Sequence, residues 1–162
     1  MQRNISVFKL IFSKIIYNGQ QNTLKEKIMN ILRFLTPKSD VEYLNIDSSV
    51  RQGLEKMKYH GYAAIPVVDD EGHYQGTVTE GDFLWALYNN NNPDIKKLEK
   101  TQLRTIVRKD YQPISASASM DEILNRAYSQ NFVPVVDDRE VFIGIIRRKD
   151  IIRHLASIQV EL

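Results

Sequence analysis

The chain has 162 residues, a formal net charge of +2 from 22 basic and 20 acidic side chains, and no cysteine. This length supports a core of ordinary size, and the lack of cysteine excludes disulfide frameworks, thiolate metal sites and cysteine nucleophiles. Near-balanced charge gives no ground for nucleic-acid binding by charge alone.

Residues 1–28 stand apart. Arg3, Lys9, Lys14, Lys25 and Lys27 face a single acid, Glu26. The most apolar stretch, Ile5–Tyr17, is interrupted by Lys9, Ser13 and Lys14 and is too short to cross a bilayer. It also lacks the small-residue cleavage pattern of a signal peptide. An accessory leader is the reading adopted for residues 1–28. A basic amphipathic segment contacting a membrane or a partner, and a helix docked on the body, are the alternatives. Folding information is then expected to begin near Met29, in a protein of the cytoplasm.

Val41–Ile46 is a short run with apolar residues, read as a first strand. Ser49 followed by Gln52 forms a capping-box pattern, and Val50, Leu54 and Met57 then repeat at helical spacing until Gly61. Ala64–Val68 is a continuous apolar run of buried-strand type. The polar turn Asp69–His73 leads from it into Tyr74–Thr79, a hairpin signal. A helix over Asp82–Tyr88 follows. Asn89–Asn92 reads as a turn, and Pro93 opens a short polar helix over Asp94–Leu103, together a linker.

The pattern then starts again. Ser119 with Glu122 is a second capping box, ahead of the stripe Met120, Ile123, Leu124 and Ala127. Val133–Val136, the turn Asp137–Val141, Phe142–Ile146 and a helix over Asp150–Ile158 complete the copy. Ile65–Leu87 and Val133–Leu155 lie 68 residues apart, and Pro66, Val67, Val68, Asp69, Asp70, Gly76, Asp82 and Leu87 have identical counterparts. The capping serines are 70 apart, so the second helix region is two residues shorter. One unit has been used twice, and two units this small are expected to share a core. Pro66 and Pro134 cannot donate to a ladder and are expected at a strand start or an edge.

The candidate site is the turn from the last strand of each unit into its helix: Gly76 to Asp82 (GTVTEGD) and Gly144 to Asp150 (GIIRRKD). A helix start offers free amides and a positive dipole end, and a carboxylate there can accept from two vicinal hydroxyls such as those of a ribose. Thr79 with Asp82 is also close to a capping box and needs no ligand. The second copy differs. Arg147 has no cap acceptor, yet Asp150 is retained, and Arg147, Arg148 and Lys149 place three cations where the helix dipole disfavours them. A bound phosphate accounts for that cluster; solvation of long side chains is the alternative.

These residues resemble a tandem pair of cystathionine-β-synthase (CBS) domains, a Bateman module. The paired IPVVDDEG and VPVVDDRE strands, followed by GTVTEGD and GIIRRKD, carry the likeness over about Thr36 to Leu155. It is closest to small standalone bacterial members with no catalytic or transporter domain attached. The resemblance implies an α/β fold: two βαββα repeats over residues 29–88 and 104–162, joined by a linker at 89–103. Their small sheets pack about a pseudo-twofold axis with helices outside. It implies two clefts for an adenosine-containing ligand such as AMP, ADP, ATP, S-adenosylmethionine or cyclic di-AMP, and a homodimer in which the helix holding Trp85 meets the partner.

The same resemblance assigns ribose contacts to Thr79 and Asp82 in one cleft and to Asp150 in the other. There Arg147 replaces the usual Ser or Thr and turns the position toward phosphate, with Arg148 and Lys149 beside it. Each adenine pocket is lined from the opposite repeat: Val107, Arg108, Phe132 and Val133 for the Asp82 cleft; Thr36, Pro37, Ala64 and Ile65 for the Asp150 cleft. The Asp150 cleft is expected to be the better site, because Ala63 and Ala64 leave room for a base. Phe132 either stacks on adenine or fills its pocket.

His60, His73 and His154 are scattered without metal-ligand spacing, and neither a nucleophile elbow nor a phosphate loop is present in the sequence. The expectation is a non-enzymatic nucleotide sensor needing no cofactor, acting on an effector protein that the sequence does not name. The alternative is a constitutive interaction module with degenerate clefts, which Arg147 and Phe132 favour.

Overall fold

The computed structural model describes residues 31–89 and 95–160. Residues 1–28, Pro93 and Asp94, on which some of the readings above fall, lie outside the described residues. The strands are β1 (Leu35–Pro37), β2 (Leu44–Asn45), β3 (Ala64–Val68), β4 (Tyr74–Thr79), β5 (Ile114–Ser115), β6 (Phe132–Val136) and β7 (Phe142–Arg147). The α-helices are α1 (Val50–His60), α2 (Glu80–Asn89), α3 (Ile95–Lys100), α4 (Met120–Ser129) and α5 (Arg148–Val160).

Both capping boxes form. Ser49 accepts from the Gln52 N–H while Gln52 accepts from the Ser49 N–H, and Ser119 and Glu122 do the same. Gly61 closes α1 in the left-handed conformation at φ 66°, whereas α4 runs into extended Gln130. Helix α4 has 10 residues against 11 in α1. The link to the next strand is also shorter, so the two-residue deficit is shared between helix and loop. Helices α2 and α5 begin two residues ahead of Asp82 and Asp150, because the capping turn sits at the strand end.

Each repeat builds its own sheet. The first has the order β2-β3-β4; the second has β1-β7-β6-β5. Strand β1 therefore leaves its own repeat and pairs antiparallel with β7 of the other, Thr36 opposite Ile145. The reciprocal exchange is a single bridge between Thr77 and Arg108, with bonds in both directions at 3.0 Å. The hairpin turns also meet: His73 bridges Val141, and the Phe142 N–H donates to the Gly72 carbonyl at 2.9 Å. These exchanges hold the two repeats in one body.

Pro66 and Pro134 depart from the expectation of a strand start or edge. Both lie mid-strand in the middle of their sheets, opposite Thr77 and Ile145. The neighbouring strands β2 and β5 are two residues long and reach only Val67–Val68 and Val135–Val136. The parallel side of each proline is thus locally an edge, and its missing N–H breaks no ladder there.

Two apolar clusters form the interior. Leu44, Val50, Ile65, Val67, Val78 and Phe83 pack in the first repeat, joined by Leu98 and Leu103 from the linker. Thus the linker is anchored in the first core, and the Val50 N–H donates to the Thr101 carbonyl at 2.8 Å. Ile114, Ile123, Val133, Val135, Ile146 and Ile151 pack in the second. Between them Thr77, fully buried, donates to the Tyr74 hydroxyl at 2.8 Å, which donates to the Tyr111 carbonyl at 2.9 Å. Burial pushes the Tyr74 phenol well above its ordinary pKa, so it remains a donor.

Candidate functional site

At the start of α2, Asp82 Oδ2 accepts from the Thr79 N–H at 2.8 Å and from its hydroxyl at 2.7 Å. The Asp82 N–H donates back to Thr79 Oγ1 at 3.3 Å. The capping reading of this turn therefore describes its local geometry. The other carboxylate oxygen lies 3.7 Å from Nη1 of Arg108, which arrives from the opposite repeat.

At the start of α5 a cation takes the place of the hydroxyl. Arg147 Nε donates to Asp150 Oδ2 at 2.6 Å, and Arg153 Nη1 donates to Oδ1 at 3.2 Å. Arg148 is held by Asn131, to whose side-chain oxygen it donates at 2.6 Å and to whose carbonyl its N–H donates at 3.0 Å. Lys149 is exposed and has no ion pair among the described residues.

Arg147, Arg148 and Lys149 form one wall of an open cleft of about 410 Å³. Thr36, Asp40, Val41, Glu42, Gly61, Tyr62, Ala63, Ala64 and Pro66 line it from the first repeat. Asn131, Phe132, Ile145, Arg147, Arg148 and Lys149 line it from the second. The close approach of β1 to β7 sets its floor: a Cβ on Gly144 would stand 2.2 Å from the Thr36 carbonyl oxygen, so only glycine allows it. The opposite wall is acidic. Lys56 hydrogen-bonds to Glu42 at 2.6 Å, and that contact and its charge hold the Glu42 carboxyl below its ordinary pKa.

Thr36, Ala64, Arg147, Arg148 and Lys149 are thus brought together as the sequence suggested. Pro37 is exposed on β1, while Ile65 and Val133 are fully buried and belong to the cores. Asp150 stands behind Arg147 and does not line the cleft. Val107 and Arg108 lie against β4, where a Cβ on Gly76 would be 2.3 Å from the Arg108 carbonyl oxygen. Phe132, expected in the Asp82 cleft, lines the open one, because the starts of β3 and β6 face the same space. Its ring packs on Tyr111 with centroids 5.5 Å apart. Asp40, Val41, Glu42, Tyr62, Asn131 and Ile145 went unnoticed in the sequence. Only Asn131 carried a signal, since it occupies the place of Ala63 in the repeat.

Asp69, Glu71 and His73 bring ligand atoms within 4.8 Å of one another in the first hairpin turn. Both Asp69 oxygens are already engaged, by the His73 N–H at 2.8 Å and by Gln75 at 2.7 Å, which describes a braced turn. No helix among the described residues is long and apolar enough to cross a membrane.

Two interlocked repeats with a cleft walled by both define a tandem-repeat α/β module. The model of the CBS domain matches residues 31–89 and 103–157, and the chain belongs to that family. A CBS domain-containing protein of Dictyostelium discoideum is 24% identical over 126 residues, covering 71% of this chain and 84% of the relative. The crystal structure of CbpB in complex with c-di-AMP superposes with a TM-score of 0.77 at 22% identity, covering 86% of this chain and 92% of CbpB. CBSX2 in complex with AMP gives a TM-score of 0.64 at 23% identity, covering 82% and 98%. At these identities the likeness to the solved structures is one of fold.

Proposed function

We propose that this chain is a non-enzymatic sensor that binds an adenine nucleotide in the cleft between its two CBS repeats. The observation that carries the reading is the convergence of Thr36 and Ala64 from one repeat with Arg147, Arg148 and Lys149 from the other around one open volume. About 410 Å³ falls within the range of small-molecule sites. The small residues Ala63 and Ala64 admit a flat base, and the cations at the start of α5 suit a phosphate. Relatives of this fold have been crystallised with c-di-AMP and with AMP, which supports an adenine ligand.

The mechanism is a population shift. A nucleotide touching β1 and α5 together favours the arrangement of the repeats in which both walls are in place, by its differential affinity for that arrangement. The readout is a second copy of the chain or an effector protein. Leu84, Trp85 and Tyr88 on α2 and Ile152 on α5 are exposed apolar side chains suited to such a homodimer.

Satisfied carboxylates favour the second reading, an interaction module with degenerate clefts: Asp82 and Asp150 both already hold protein partners. Thermal unfolding with AMP, ADP, ATP, cyclic di-AMP, S-adenosylmethionine and GTP separates the two. A ligand at about a hundred times its Kd adds about 2.7 kcal/mol. A shift with an adenine ligand and none with GTP is expected. No shift with any ligand at millimolar concentration gives the second reading instead.

A further inference from the structure

The two clefts are not equivalent, and the difference lies at two of three matched positions. Thr36 on β1 places its carbonyl against Gly144, and Arg108 places its carbonyl against Gly76 in the same way. Val41 precedes Leu44 by three residues, as Tyr111 precedes Ile114, and Leu44 and Ile114 pair with the matching residues Val67 and Val135. Ala64 opposes Thr79 and Phe132 opposes Arg147, the matching ends of the two hairpins. At the first two positions the open cleft has the smaller side chain, Thr36 and Val41 against Arg108 and Tyr111, whereas Ala64 and Phe132 both line the open cleft.

Arg108 faces the site, and Tyr111 is held against Phe132. Arg108 Nη1 is 3.7 Å from Asp82, whose side chain is 8% exposed, and the same guanidinium binds Asp110. Its backbone is pinned to Thr77 by two hydrogen bonds of 3.0 Å. The Tyr111 ring packs on Phe132 at 5.5 Å, the Tyr111 carbonyl is held by the Tyr74 hydroxyl, and Phe132 is 6% exposed. Asp82 Oδ2 is committed to Thr79, and Oδ1 faces the Arg108 guanidinium at 3.7 Å, so a ribose hydroxyl approaching Oδ1 meets that side chain.

We propose that Arg108 and Tyr111, whose ring is backed by Phe132, form an intramolecular plug in the Asp82 cleft, so that the module takes a single nucleotide per chain, in the cleft walled by Arg147, Arg148 and Lys149. The proposal rests on the nucleotide-sensor reading above and sets its stoichiometry.

Equilibrium dialysis of the full chain with radiolabelled AMP, ATP and cyclic di-AMP tests it. The wild type is expected to saturate at one molecule per chain with the ligand it binds. The variant R108T/Y111V, which copies the open cleft at both plug positions, is expected to saturate at two. Phe132, buried and in the wall of the open cleft, is left in place; R108A/Y111A serves if the first variant does not fold, and its expected number is also two. A wild type that saturates at two, or a folded plug variant that binds no more than the wild type, overturns the plug. A wild type that binds none of the three overturns the sensor reading instead, and a gain of one site in the variants then still supports the plug.

Discussion

The backbone of Gly144 touches the carbonyl of Thr36 so closely that a Cβ would lie 2.2 Å from that oxygen and 2.9 Å from Leu35 Cδ1. Nothing nearby can yield, because Leu35 and Thr36 are paired to Ile146 and Ile145 on either side. Gly144→Ala must therefore push β1 off the edge of the second sheet. The expected loss of stability is at least about 2 kcal/mol, the level of an overpacked interior. Nucleotide binding should fall with it, since Thr36 is a wall of the cleft. Chemical denaturation and a binding isotherm on the same preparation check this. A variant that keeps wild-type stability would show that β1 is not held where it is described.

Lys149 separates binding from stability. It is an exposed cation in the first turn of α5, where the dipole disfavours positive charge by about 0.3–1 kcal/mol. Lys149→Ala should leave the melting temperature unchanged or slightly higher. Affinity for a phosphorylated ligand should fall several-fold, with a shallower dependence on salt. A drop in stability without a change in affinity would assign Lys149 to the fold alone.

The duplicated unit was legible because its signals are local: capping serines, helical stripes and hairpin turns all lie within a few residues of one another. The start of β3 and the cations of α5 were likewise readable. What the sequence hid was exchange between repeats. Leu35–Pro37 is three residues with no periodicity, and its strand state comes wholly from pairing with β7. The Arg108–Asp82 contact joins side chains 26 positions apart across that exchange, and no spacing rule points to it. Phe132 was assigned to the Asp82 cleft for the same reason, since the exchange brings the start of β6 to the open cleft that the start of β3 also lines.

The two capping boxes offer a matched pair of perturbations. Ser49 accepts from the Gln52 N–H at 3.2 Å, and Ser119 from the Glu122 N–H at 3.3 Å. Either serine to alanine should cost about 1 kcal/mol, or a few degrees of melting temperature for a chain of this length. The boxes differ in charge. Glu122→Gln should cost a few tenths of a kcal/mol, as the carboxylate no longer meets the helix dipole. Gln52→Glu should gain by a similar amount. Parallel thermal melts of the four variants read these differences, and a Gln52→Glu variant less stable than the wild type would contradict the dipole argument.

Acid should weaken the fold through its hairpin turns. The Asp137 carboxyl is held below its ordinary pKa, first by the Val141 N–H, which donates to Oδ1 at 2.9 Å, and then by the Arg139 N–H against some burial. In Asp69 burial raises the pKa, but hydrogen bonds from His73 and Gln75 and the His73 charge together outweigh it and the net shift is downward. A carboxyl whose folded pKa is depressed contributes stability that is complete above its unfolded value, near 4. It is lost as pH falls through the folded value. Stability should therefore be flat with respect to these groups above about pH 5 and decline below about pH 4. Asp137→Asn keeps an acceptor for both backbone donors but removes the titration. Its stability should be lower than wild type at neutral pH, with a shallower decline in acid, so that the two curves converge near pH 3 or below, an estimate set by the ordinary carboxyl range. Urea melts from pH 7 down to pH 3 give both curves, and a variant that runs parallel to the wild type over that whole range would remove Asp137 from the acid response.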